Sequence, residues 1–240
     1  MKKISTLALL VIMASACTND SATTSGTVAL KASAVSTTGK TSLTARSTAT
    51  STVVITDFKI NIGNIKFEVD DQDEMHNTDP SHEDVKLNGP FLLDLLNPNT
   101  TLSQAIASVN IPNAKYEEIK FNFVPSILPG EMSGKSYMIV GTINGIPFKV
   151  WSTKNVELKM DFSDPTKDFT VNSNDLSLNI KFQLDAFMAK LTYLANQGLL
   201  IDTDQDGVIE ISTESDDNHQ DIGELIKKLL ENETHLDDKD

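Results

Sequence analysis

The sequence predicts a mainly β protein, an antiparallel β-sandwich with a C-terminal helix–acidic loop–helix appendage. Three observations predict it. Between Phe58 and Leu184, apolar residues recur at every second position in segment after segment, the pattern of strands with one buried face. Asn144-Gly145 stands between two such segments and suits a type I′ hairpin turn, which needs two residues with positive φ. From Leu184 the period lengthens to ~3.6 residues, on both sides of a run of alternating aspartates.

The chain begins with Met1-Lys2-Lys3, followed by an apolar run from Leu7 to Met13 that is too short to span a bilayer. Ala14-Ser15-Ala16 then precede Cys17. Small residues before a cysteine, after such a run, resemble the lipobox of bacterial lipoprotein signals, although alanine stands at the third position before the cysteine where leucine is more usual. The resemblance implies cleavage before Cys17 and acylation of that residue. Cys17 is the single cysteine, so there is no internal disulfide and no thiol left for catalysis or a zinc cluster.

Thr18 to Thr52 is rich in Ser, Thr and Ala and reads in part as a flexible tether. Within it Val28, Leu30, Ala32 and Ala34 alternate with less apolar residues, which suits a first strand as well as it suits a tether; a loop is expected over 36–51. Phe58, Ile60 and Ile62, then Ile65, Phe67 and Val69, form two alternating runs whose phase slips by one at Gly63-Asn64, as a bulge or tight turn requires. Asp70 to Asn88 reads as an acidic surface loop. His76 and His82 lie in it, at a spacing that fits no recognised metal motif. Phe91 to Leu96 reads as a short buried strand, and Leu102 to Val109 as a helical turn or irregular crossing. Ile119, Phe121 and Phe123 form another strand. Val124 to Ser133 is a loop with prolines and a glycine. The hairpin strands are 136–143 and 146–153; Pro147 suggests an edge position, and Trp151 suits the core, with a glycan-stacking platform as the lesser alternative. Val156 to Phe162 and Leu176 to Leu184 alternate again.

Leu184, Phe187, Met188, Leu191, Leu194 and Ala195 share one face of a helix that Gly198 can cap. Ile222, Leu225, Ile226, Leu229 and Leu230 share the face of a second, with Asn218 as expected N-cap and Asp221 at the third helical position. Between them Asp202, Asp204 and Asp206 take positions 1, 3 and 5 of a calcium-type loop. Gly207 takes the sharp turn at 6, the carbonyl of Val208 position 7, and Ile209 the apolar anchor at 8. Position 12 is Thr213 rather than glutamate. Glu214 follows one residue late, and Glu214, Asp216 or Asp217 can supply the missing carboxylate from the entry to the second helix, Glu214 being taken first, with Glu210 as a further donor. Leu199-Leu200-Ile201 interrupt the entry of the first helix into the loop. The expected ion is calcium, in a structural role, with affinity of ~10⁻⁶ to 10⁻³ M; the alternative is a solvated acidic turn.

The net charge is −14, and −16 without Lys2 and Lys3. Asp202 to Asp240 hold 14 acidic residues against Lys227, Lys228 and Lys239, a net of −11. That balance excludes nucleic acid as a partner, for want of a basic patch to displace counterions. No His-Glu-x-x-His, Gly-x-Ser-x-Gly or phosphate-binding glycine loop is present. His76, His82, His219 and His235 all sit in polar segments, poor places for a positioned base.

The order Thr27-Val28-Ala29-Leu30-Lys31-Ala32, Ile55 to Ile62, Leu92-Leu93-Asp94-Leu95-Leu96 and Ile111-Pro112-Asn113-Ala114-Lys115-Tyr116-Glu117-Glu118-Ile119 carries a family resemblance. From Thr27 to Leu184 the chain resembles an uncharacterised β-sandwich domain family of bacterial lipoproteins common in Bacteroidota. The resemblance implies an all-β envelope domain and no catalytic residues. The expected organisation is a signal peptide over 1–16, a tether over 17–26, a β-sandwich over 27–184 and two helices flanking the loop over 185–240. The expected function is that of a non-catalytic cell-envelope lipoprotein, anchored through Cys17 and facing the periplasm or the surface at the outer membrane. It would be a calcium-braced binding or adhesion module for a glycan or protein ligand. The alternatives are an assembly subunit of a surface appendage, and a carboxylate-dependent hydrolase, which would need two acids across a cleft.

Overall fold

The computed structural model describes residues 25–35, 43–45, 51–69, 84–96, 104–161, 169–172, 176–214, 217–232 and 234–237. The expected signal peptide, Cys17, the tether as far as residue 24, the acidic run with His76 and His82, and Asp216 lie outside them; Ser25 and Gly26, expected as tether, open the first strand. No helix among the described residues is long and apolar enough to cross a membrane.

Two sheets pack face to face. The smaller has the order β13 (Thr234–Asp237), β11 (Leu176–Gln183), β1 (Ser25–Val35), β5 (Gln104–Pro112). The larger runs β10 (Phe169–Thr170), β6 (Lys115–Phe123), β3 (Val53–Val69), β7 (Tyr137–Ile143), β8 (Ile146–Ser152), β12 (Ile209–Ile211). In addition β2 (Leu43–Ala45) and β4 (Val85–Asp94) pair with β3, and β9 (Val156–Asp161) pairs with β6. Most pairings are antiparallel; β1 with β11 and β12 with β8 are parallel. The β-sandwich expected from the alternation is what forms, with these two parallel contacts added.

β3 is the spine of the larger sheet. The two runs read on either side of Gly63 are one strand of 17 residues, and the phase slip is a register shift between Ile62 and Asn64 against both β4 and β6. On one side β3 pairs first with β7 and then with β6. Asn61 fills the junction. Its N–H donates to Ser136 O at 2.9 Å, its carbonyl accepts from Val124 N at 3.0 Å, and its side-chain amide donates to Val124 O at 2.8 Å. Asn61 is 1 % exposed, and these bonds satisfy its backbone and its side-chain nitrogen, while its Oδ1 is buried without a hydrogen-bond partner.

The inner faces meet through aromatic rings. Phe182 of the smaller sheet packs edge-on against Phe58 at 5.5 Å and lies 6.0 Å from Phe123. At the other end of the larger sheet Tyr116 stacks on Phe169 at 5.2 Å and both meet Phe67, all three rings belonging to that sheet. The Tyr116 hydroxyl donates back to Pro112 O at 3.0 Å, four residues upstream. The chain crosses from β5 in one sheet to β6 in the other between these two residues. The Ile-Pro-x-Ala-x-Tyr step is therefore a tyrosine corner that pins the crossing.

Several expectations are corrected. Residues 104–112 are a strand, not a helical turn: Ala105, Ala107 and Ser108 have weak local preference, and pairing with β1 decides. The segment read as tether or strand is strand, and an interior one, with Val28, Leu30 and Ala32 fully buried. The strand expected from Phe91 begins at Val85, inside the segment read as loop. Trp151 stands outside the main core, because Phe148 and Val150 hold the inward positions of β8. It is half-buried on the outer face, with Lys149 Nζ 5.7 Å from the ring centre.

The outer face of the large sheet is charged. Glu68 bridges Lys66 at 2.7 Å and Lys120 at 2.6 Å. Its partial burial pushes its carboxyl up, but hydrogen bonds from the two lysines outweigh that and hold it at about 2. Nearby, Lys59 bonds to Asp57 and Glu131. Asp94, opposite Lys59 on β4, has its carboxyl raised, first by burial and then by the Asp57 charge.

Two helices complete the core. α1 (Leu184–Asn196) continues directly from β11 and buries Leu184, Phe187, Met188, Leu191 and Leu194; α2 (Gln220–Asn232) buries Ile226 and Leu230. They belong to the same apolar core as the sheets, α1 lying against β3 and α2 against β8 and β9. Gly223 lets α2 come down on the chain leaving β12: a Cβ there would stand 2.4 Å from the Ser212 carbonyl carbon.

Candidate metal centre

The loop between the helices is built by its own aspartates. α1 ends where Gly198 takes φ +67°, and Leu199 N–H returns to Leu194 O at 3.0 Å, the glycine stop expected from the sequence. Leu200 is buried and pins the chain before the loop begins. Asp202 Oδ2 then accepts Gly207 N–H at 2.8 Å. Asp204 Oδ1 accepts Asp206 N–H at 3.2 Å, and Asp206 Oδ1 accepts Val208 N–H at 2.8 Å. Gln205 and Gly207 take positive φ, 65° and 92°, which closes the turn. Alternating carboxylates thus fold the backbone around one point before any ligand is considered.

Ile209, the expected anchor, enters β12 and pairs with Phe148. The loop is therefore fastened to the outer strand of the large sheet, and β8 is no longer an edge over Phe148–Val150. Pro147 lies just beyond that pairing.

The acid that joins the loop from outside is Asp217. It is 2 % exposed. Its Oδ1 accepts Thr203 N–H at 2.6 Å, Thr203 Oγ1–H at 2.9 Å and, more weakly, Asp204 N–H at 3.4 Å; its Oδ2 accepts Glu210 N–H at 2.7 Å. Burial pushes its carboxyl up, and these donors more than reverse the effect, so it stays below the usual range. Asn218, at φ 58°, turns the chain so that Asp217 faces inward. Asn218 does not cap α2 as expected. His219 stands at the helix entrance, its carbonyl accepting Gly223 N–H at 2.8 Å while its ring Nδ1 lies 2.8 Å from Glu210 O.

Carboxylate oxygens of Asp202, Asp204 and Asp217 come within 4.8 Å of one another. Among the described residues, no lysine or arginine forms an ion pair with any of the three. Asp202 Oδ1 is buried without a hydrogen-bond partner. Asp204 carries the strain of this crowding. The Asp206 N–H lowers its carboxyl, but lost hydration and the neighbouring Asp202, Asp206 and Asp217 carboxylates raise it further, for a net upward shift. The set is all hard oxygen, suited to a divalent cation rather than a soft transition metal.

The remaining expected ligands are placed elsewhere. Asp206 is exposed, engaged with Val208, and outside the trio. Val208 is half-buried at the exit of the turn. Glu210 braces β12 through its backbone. Glu214, the expected twelfth-position replacement, turns to the β8–β9 connection, where it accepts from Thr153 Oγ1 at 2.5 Å and pairs with Lys154 at 3.2 Å. Those two contacts, Thr153 first, lower its carboxyl. Asp217 reaches the site from the entrance to α2, the place from which the sequence offered a carboxylate, but nothing in the sequence favoured it over Glu214. The strand β12 had no sequence signal beyond Ile209 and Ile211 flanking Glu210. Compared with known proteins, the chain matches no protein-family model, no curated protein and no solved structure.

Proposed function

We propose that the chain is a non-catalytic cell-envelope lipoprotein whose β-sandwich serves in binding or adhesion and whose helical appendage is braced by one calcium ion. The meeting of Asp202, Asp204 and Asp217 carries the reading. Three carboxylates without a cationic partner among the described residues, one presenting a buried oxygen with no donor, repel one another unless a cation lies among them. Calcium suits the set better than magnesium, because the loop is irregular and magnesium demands near-octahedral geometry. The ion's role is structural: Asp217 and Ile209 tie its loop to α2 and to the sheet.

Thermal unfolding of the chain from Thr18, with calcium and with chelator, tests this. Ion binding to the folded state alone stabilises by about 2.7 kcal/mol at a hundredfold excess over Kd. The expected outcome is a clear calcium-dependent rise in Tm that Asp204→Ala abolishes. An unchanged Tm would reduce the loop to an acidic turn. Anchoring rests on the Ala14-Ser15-Ala16-Cys17 stretch. Metabolic labelling with a palmitate analogue should mark the full chain and not Cys17→Ser; equal labelling of both would remove the lipoprotein reading. A glycan panel screened in calcium then addresses the ligand.

A further inference from the structure

An asparagine followed by glycine is open to attack on its side-chain amide by the next backbone nitrogen, because glycine puts no side chain in the way. The sequence holds two such pairs, Asn88-Gly89 and Asn144-Gly145. Both asparagines are exposed, so access to water does not separate them. Their backbones do. Asn88 lies within β4, paired with Asn64 of β3, and Gly89 presses on the same strand: a Cβ there would stand 2.3 Å from Ile62 O. Extended backbone holds the glycine nitrogen away from the preceding side chain, and turning it inward would break the ladder. Asn144 and Gly145 instead form the two-residue turn between β7 and β8, with φ of 54° and 84°, and nothing lies within 4 Å of a Cβ built on Gly145. The Asn144 amide is also polarised. Its Oδ1 accepts Thr52 N–H at 2.8 Å, and its Nδ2 donates to Ser51 Oγ at 3.3 Å.

We infer that Asn144 is a site of spontaneous deamidation in the folded chain and that Asn88 is protected. Hydroxide takes the Gly145 N–H proton, and the nitrogen attacks Asn144 Cγ. The Thr52 N–H meets the charge that develops on Oδ1, as an oxyanion-hole donor does. The Cγ–Nδ2 bond then breaks, and the nitrogen takes a proton from water and leaves as ammonia, which regenerates hydroxide. A second water opens the five-membered imide at one of its two carbonyls, giving aspartate or isoaspartate. The consequence follows from what the amide ties together. Ser51 N–H donates to Asn196 Oδ1 at 3.1 Å, so Asn144 links the hairpin turn to the start of β3 and, through Ser51, to the end of α1. Either product loses the Nδ2 donor and gains a negative charge. Isoaspartate also adds a methylene to the backbone of a turn whose dihedrals leave no room for it.

Incubating the purified chain in mildly alkaline buffer, folded and in urea, followed by peptide mapping with mass spectrometry, tests this. The expected result is conversion at Asn144 roughly tenfold faster than at Asn88 in the folded chain, a barrier difference of ~1.4 kcal/mol, with the two rates converging in urea. A folded chain in which Asn144 converts no faster than Asn88 overturns the inference. The isoaspartyl product, separated by ion exchange, should melt below the unmodified chain. An equal Tm overturns the role given to Asn144 as a tie.

Discussion

Asp94 and Asp217 are both aspartates drawn into the protein, and their surroundings push them in opposite directions. Asp217 meets four donors and stays ionised. Asp94 meets burial and the Asp57 carboxylate, and its carboxyl is raised above 3.8. A group with a raised folded-state pKa holds its proton more tightly folded than unfolded. Its contribution to stability is present below the unfolded value and is lost as pH rises through the folded value. The share of stability that Asp94 contributes should therefore be lost as pH climbs from about 4 into the weakly acidic range, against the opposite trend from Glu68, Asp217 and Glu214. Asp94→Asn should flatten that part of the profile. Urea midpoints at a series of pH values for the two proteins check this; parallel profiles would show that neither burial nor the Asp57 charge raises the Asp94 carboxyl. None of this was legible in the sequence. Leu93-Asp94-Leu95 reads as an acid within a buried strand, and only the register of β3 against β4 brings Asp94 beside Lys59 and close to Asp57.

At the scale of elements, local chemistry was the better guide. The Asn144-Gly145 turn forms with φ of 54° and 84°. Gly198 stops α1, and the slip at Gly63-Asn64 is a real register shift. Each depends on residues next to one another. What failed depends on distant partners: β5, whose small residues choose no conformation by themselves, and Glu214, which finds Thr153 and Lys154 on a neighbouring turn. Gly223 belongs with these. It reads as a weak point in an amphipathic helix, yet it is where α2 touches the backbone of Ser212 and Thr213. Alanine normally favours a helix over glycine by up to ~1 kcal/mol. Here Gly223→Ala should instead destabilise, by about 1–3 kcal/mol, since backbone rather than a flexible side chain blocks the new methyl. Chemical denaturation measures it, and a stabilised variant would mean that α2 does not press on the loop as described.

For the molecule as a whole, the single core matters more than the division into sandwich and appendage. Ile209, Ile211, Ile226 and Leu230 are buried with the residues of the sheets. The appendage is thus part of the fold, but it is fastened by few elements: β12 has three residues, and the loop tip from Thr203 to Gly207 is exposed. Removing the proposed cation should loosen this part first. Hydrogen exchange with chelator should speed up at amides of 202–214 and α2 while β3, β6 and β7 keep their protection. Uniform acceleration across both sheets would show that the ion sets global stability instead.

The smaller sheet also imposes an order of events on synthesis. β1 is its interior strand, and the side chains of Ser33 and Asn179 that meet across β1 and β11 are 146 positions apart in the chain. At ~5–20 residues per second, the first strand emerges ~7–30 s before its parallel partner exists. Until then Val28, Leu30 and Ala32 have no finished sheet to enter, and the ends of a long loop must still be brought together. A chain made this way leaves β1 without its parallel partner until about three quarters of its length has been synthesised.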